Sequence, residues 1–141
     1  NKASVKKIAE LADQKWINEA GVVLLVCSDD RNLENLYGER GRVYSRQQAG
    51  ATIQTIIFKL TDLGLSSCWV GSYLDELLKE ALEIPQHIQI EAIVPIGYAD
   101  KEFDKPRKKH LDNVTYWEKW NRRNRPTFLT ESGDVPKKED E

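Results

Sequence analysis

Methionine is absent from the 141 residues, and cysteine and histidine occur twice each. Each scarcity excludes something. Cys27 and Cys68 lie far apart and form no CxxC pair, so the simplest expectation is two buried free thiols in a reducing cytoplasm. His87 sits beside a turn and His110 in a basic loop; both read as surface residues, and no metal site is expected. No apolar run reaches the roughly 18 residues of a membrane span, and no signal-peptide pattern opens the chain. The net charge of −2 argues against a nucleic-acid-binding surface. Catalytic signatures carried by protein groups are also missing: there is no GxSxG elbow, no HExxH and no Walker loop. With no methionine and Asn1 in front, the chain is expected to be part of something longer.

What remains is the composition of a soluble globular domain, 40% hydrophobic and 31% charged. By length it is one domain, expected over residues 1–120. Residues 121–141 form a polar tail, expected to be disordered unless docked. Val5, Ile8, Ala9, Leu11 and Ala12 predict a first amphipathic helix with Ser4 as its cap. Trp16, Ile17 and Ala20 predict a short helical turn that Gly21 breaks. Val22 to Cys27 is a continuous apolar run, expected to be a strand buried on both faces. Asn32 to Arg42 reads as a short helix followed by a flexible bend, with Arg40 and Arg42 solvated. Ile88, Ile90, Ala92, Val94 and Ile96 alternate with Gln89, Glu91 and Ile93, the period of a strand. Pro95, lacking an N–H, belongs near a strand end or on an edge. Leu111 to Trp120 is expected to form a last strand or a short helix.

The clearest segment runs from Tyr44 to Tyr73. Ala49, Ile53, Ile56, Ile57, Leu60 and Leu63 recur at helical spacing. The small residues Ala49, Gly50 and Ala51 suggest that another backbone comes close there. Gly64 fits a left-handed helix cap. Leu65 to Gly71 reads as a short strand ending in a turn, and Ser72 with Asp75 as a capping arrangement for the next helix, which Pro85 terminates.

This helix, the LGLSSCWVG segment, the LLKEALEIP helix and Pro95-Ile96-Gly97-Tyr98 together resemble the C-terminal half of the flavin-dependent nitroreductase family. The likeness extends over about Lys2 to Trp120. It implies an α+β fold: a mixed, mainly antiparallel sheet flanked by helices in a three-layer sandwich, assembled as a homodimer through the long helix. It also implies FMN as cofactor, NAD(P)H as hydride donor and an electron-poor acceptor such as a nitroaromatic or a quinone. No side chain is expected to be catalytic, since the flavin carries the chemistry. By family position, the N–H groups of Val70 and Gly71 would face the flavin, Cys68 and Trp69 would line the adjoining wall, and Lys108 would meet the phosphate. Tyr37 or Tyr44 would face substrate, or both would pack against the domain. HLDNVTYW resembles a family stretch that crosses to the partner subunit. The family's arginine-rich opening and first core strand have no counterpart here. That keeps an alternative open: a non-catalytic binding or assembly module on the same scaffold. Arg122, Arg123 and Arg125 with Trp117 and Trp120 would suit stacking on nucleic acid, but their acidic surroundings disfavour it.

Overall fold

A computed structural model of the chain describes residues 1–101 and 107–125. The chain divides into two compact units, residues 1–102 and 103–141. The first contains four α-helices and one sheet: α1 (Lys2–Leu11), a 3-10 turn (Lys15–Glu19), β1 (Val22–Asp29), α2 (Arg31–Tyr37), α3 (Glu39–Asp62), β2 (Ser66–Ser67), α4 (Asp75–Ala81) and β3 (Ile88–Gly97). The sheet order is β1-β3-β2, and both pairings are antiparallel.

Helices cover the two faces of the sheet, which gives the expected α+β three-layer sandwich. On one face Ile8, Ala9, Leu11 and Ala12 of α1 and its end pack with Ile17, Leu78 of α4, Val70, Ile90 and Ile93. On the other, Ile53 of α3 packs on Ala92 and Val94, with Val26, Ile57, Leu60 and Ile96 at the margin. The helix spacing read in the sequence thus marks core-facing stripes. Along α3 the buried residues are Gly41, Ser45, Ala49 and Ile53, one per turn. Beyond Ile53, Ile57 and Leu60 stay half-buried against the same core, while Phe58 at 66% exposure faces outward and Leu63, read as the end of the stripe, is 60% exposed.

The capping details differ from expectation. Asn1, not Ser4, caps α1: its Oδ1 accepts from the Ala3 N–H at 2.9 Å. α4 begins after Leu74 without a side-chain cap, so Ser72 plays no capping part. Asp75 and Glu76 in its first turn face the positive end of the helix dipole instead. Gly64 does take the left-handed conformation, φ 72°. Its N–H donates to Thr61 O and that of Leu65 to Leu60 O, the paired bonds of a Schellman cap.

Three further readings are corrected. No flexible bend separates α2 from α3; Gly38 alone links them. The close approach of backbones occurs at Gly41, not Gly50. A Cβ on Gly41 would lie 2.2 Å from Leu33 O and 2.6 Å from Glu34 N, in the backbone of α2. A Cβ on Gly50 would meet only the Trp69 ring, at 3.7 Å. β1 is also not buried on both faces: exposure alternates along it, because α3 leaves Val22 at 60% and Leu24 at 36% exposure. Pro95 lies two residues before the end of β3, near a strand end as expected, in the central strand of the three.

The second unit is described over residues 107–125. It contains a 3-10 turn, Leu111–Asn113, with His110 at its N-terminal cap, the helical one of the two alternatives, strand or short helix, read for this stretch. Tyr116 packs on Trp120 at 4.7 Å between centroids. Arg123 lies over the Tyr116 ring and Arg125 over Trp117, so these cations are engaged within the unit. Arg122 pairs with Glu118. Of the polar tail expected over residues 121–141, residues 121–125 are described and make these contacts; residues 126–141 lie outside the described residues.

Candidate functional site

The bend after Trp69 is built by one interrupted ladder. Ser66 pairs with Gly97, Ser67 with Ile96 and Val70 with Ile93, a single antiparallel register. Ile93 donates its N–H to Val70 O at 3.0 Å and accepts from Val70 N–H at 2.9 Å. N–H groups on a strand point to alternate sides, so Pro95, two residues on, would have donated on this same side, opposite Cys68. It has no N–H to offer. The ladder therefore lapses at Cys68 and Trp69 and resumes at Val70.

The lapse determines what the bend presents. Val70 is 7% exposed, and its amide is committed to Ile93. Of the two amides read from the sequence, only that of Gly71 finds no acceptor among the described residues. Nothing stands within 4 Å of where a Gly71 Cβ would be. Trp69 alternates to the α3 face, where its ring lies beside Gly50 and stays 42% exposed. Cys68 is exposed, and so is Cys27. The expected burial of both thiols is thus overturned: Cys27 lies on edge strand β1, and Cys68 at the lapse in pairing. Partial burial, then the carboxylates of Glu91 and Asp75, push the Cys27 thiol above its ordinary range.

Two other expected site residues are Tyr37 and Lys108. Tyr37, at the end of α2 and 56% exposed, meets Tyr44 edge-on at 5.3 Å. Arg40 lies over the Tyr44 ring, and Arg42 pairs with Glu34 at 2.6 Å, so neither is simply solvated. Lys108 is exposed in the second unit.

A polar cluster on the α3 face escaped sequence reasoning. Arg46 grips Asp30 with two nitrogens, each at 2.9 Å, and reaches Glu91 Oε1 at 2.6 Å. The Ser28 hydroxyl donates to the same Glu91 oxygen at 2.5 Å. Asp30 is 8% exposed. Burial pushes its carboxyl up, but hydrogen bonds from Arg46, Ser45 and Ser28 outweigh this and hold it below the ordinary range. Beside the cluster opens a cleft of about 390 Å³, lined by Asp30, Arg31, Glu34, Arg42, Arg46, His87 and Gln89. Each of its guanidiniums pairs with a carboxylate, so the cleft is of mixed charge. One signal was legible: Ile93 fell in the polar phase of the β3 alternation, the mark of a bulge.

The helix–sheet–helix sandwich is shared with solved structures. The hypothetical oxidoreductase YcnD from Bacillus subtilis superposes with a TM-score of 0.76 at 26% identity, over 93% of this chain and 57% of that one. The model of the Nitroreductase family matches residues 1–98, and the chain belongs to that family. The FMN reductase [NAD(P)H] of Bacillus subtilis is 31% identical over 123 residues, 76% of this chain and 49% of its own length. The 4-nitrobenzoate reductase of a Nocardioides species is 41% identical over 56 residues, 38% of this chain and 23% of its own length. The chain therefore spans about half or less of the length of these relatives.

Proposed function

We propose that this chain is part of an FMN-dependent oxidoreductase of nitroreductase type. The observation that carries the reading is the Gly71 amide: an unclaimed donor on a residue with open space at its Cβ position, beside an exposed indole in a family of this activity. The residues present fit the ring of the cofactor at this end. A flavin has acceptor atoms along one edge, and a fixed backbone N–H stabilises charge there without reorganising. When bound, FMN would supply two-electron chemistry, accepting hydride from NAD(P)H and delivering it to an electron-poor acceptor such as a nitroaromatic or quinone.

The protein's part is binding and orientation. The Val70–Ile93 bridge holds the bend still, so the Gly71 N–H projects in one direction. Trp69 and Cys68 form the adjoining wall, Trp69 resting against α3. Lys108 would supply a point charge to the phosphate, and Tyr37 would border the acceptor. Homodimerisation through the exposed side of α3 belongs to the same reading.

The test is direct. The purified chain, mixed with FMN, is expected to quench flavin fluorescence and retain a yellow colour after gel filtration. With NADH or NADPH it should bleach and then reoxidise with a nitroaromatic. A colourless protein that neither quenches FMN nor consumes either nucleotide would favour the non-catalytic module.

A further inference from the structure

Glu91 occupies a position that a regular strand would not grant it. Val26 pairs with Ala92 and the next residue, Cys27, pairs with Ile90; Glu91 is the extra residue of a bulge. The bulge reverses which face each later residue of β3 presents. Before it, Ile90 joins the α1/α4 core; after it, Ile93 joins that core while Ala92 and Val94 join the α3 core. Glu91 and Ala92 consequently point to the same side, toward α3.

We infer that Glu91, held by Arg46 and Ser28, is a positioning residue: it locks the register of β3 and through it the placement of the Gly71 donor. Its functional half rests on the flavin reading above. The physical argument is a comparison of two registers. Without the bulge, unbroken alternation from Ile93 would turn Glu91 into the α1/α4 core and Ile90 toward Asp30 and Ser28. An ionised carboxylate is not carried into an apolar core without partners. On the α3 face it has two, Arg46 at 2.6 Å and Ser28 at 2.5 Å. The hydrogen-bonded polar head thus selects the bulged register, as inward polar groups do in sheets that must not slip.

The lock and the donor are mechanically close. Two residues beyond Glu91, Ile93 makes the bridge to Val70, and Gly71 is next in the chain. On α3, Arg46 lies one turn before Gly50, the residue against which the Trp69 ring rests. One stretch of α3 therefore fixes both the bulge and the wall of the bend. Slippage of β3 would break the Val70 bridge and draw Trp69 off Gly50.

The experiment uses the full 141-residue chain, isotopically labelled, with Glu91→Gln, Glu91→Leu and Ser28→Ala. Glutamine still accepts from Arg46 and Ser28, so Glu91→Gln is expected to keep the Val70–Ile93 cross-strand contacts, the Gly71 amide resonance and the wild-type FMN affinity. Leucine suits the apolar core, so Glu91→Leu is expected to lose those contacts, shift the Gly71 resonance and weaken FMN at least about tenfold. Ser28→Ala removes one hydrogen bond, and amide exchange at Val70 and Ile93 should quicken about tenfold relative to α1 amides. Glu91→Leu with the wild-type bridge and Gly71 resonance would overturn the lock. If that variant fails to fold, unchanged exchange in Ser28→Ala overturns it instead. If wild type ignores FMN while the register shifts as described, the lock stands and the flavin reading falls.

Discussion

Two glycines on one helix should respond oppositely to the same substitution. Both Gly41 and Gly50 lie in α3, where alanine is favoured over glycine by about 1 kcal/mol. At Gly50 the added methyl meets only the Trp69 ring at 3.7 Å, an ordinary contact, so Gly50→Ala should stabilise by about 0.5–1 kcal/mol. At Gly41 it would sit 2.2 Å from Leu33 O and 2.3 Å from Leu33 C. These are backbone atoms that no rotamer change can move aside. α2 must back away by more than an ångström, straining the Arg42–Glu34 pair and the Arg46–Asp30 grip that tie it to α3. Overpacking of this kind costs about 1–3 kcal/mol, more than the propensity gain offsets. Gly41→Ala should therefore lower stability by about 1–2 kcal/mol, or roughly 3–8 °C in Tm. Urea unfolding followed by far-ultraviolet circular dichroism measures both. Equal or greater stability of Gly41→Ala would refute the backbone contact as the reason for glycine there.

Gly64→Ala isolates backbone strain, since φ is 72° and no atom crowds the added methyl. It should destabilise by about 1 kcal/mol, read in the same urea titration. Asp30, held below its ordinary range, binds a proton less readily folded than unfolded. Its contribution is complete above the unfolded value of about 4 and is lost as pH falls through the lower folded value. Arg46→Gln should flatten the acid limb of the stability–pH curve. A residual slope should remain from Asp29, which hydrogen bonds from Arg31 hold at about 2. Burial, then Asp75 and Glu91, push the Tyr73 phenol up to about 12, and its O–H donates to Ile90 O at 2.8 Å. Stability should hold below pH 10 and decline as pH rises toward 12; Tyr73→Phe should remove that decline while lowering neutral stability by about 1 kcal/mol.

Local patterns read well because their causes are local. The α3 stripe, the Gly64 cap, the 3-10 turn around Ile17 and the strand through Ile88–Gly97 follow from periodicity and punctuation within a few residues. The ordered motifs from Leu63 to Tyr98 are enough to suggest the family to which the chain belongs. Placing Asn1 rather than Ser4 at the cap of α1 was missed because both residue types satisfy the same rule.

Tertiary structure alone decided the rest, wherever the outcome hangs on what lies across a gap. Which glycine admits a backbone depends on how α2 folds back, so Gly41 rather than Gly50 makes the close approach. Which amide stays free depends on the strand opposite, so Val70 is bridged to Ile93 and Gly71 is open. Glu91 looked like one more polar residue of an alternating strand. Its place at the bulge follows from Arg46 and Ser28, 45 and 63 positions away in the chain, and no window along the sequence contains that distance.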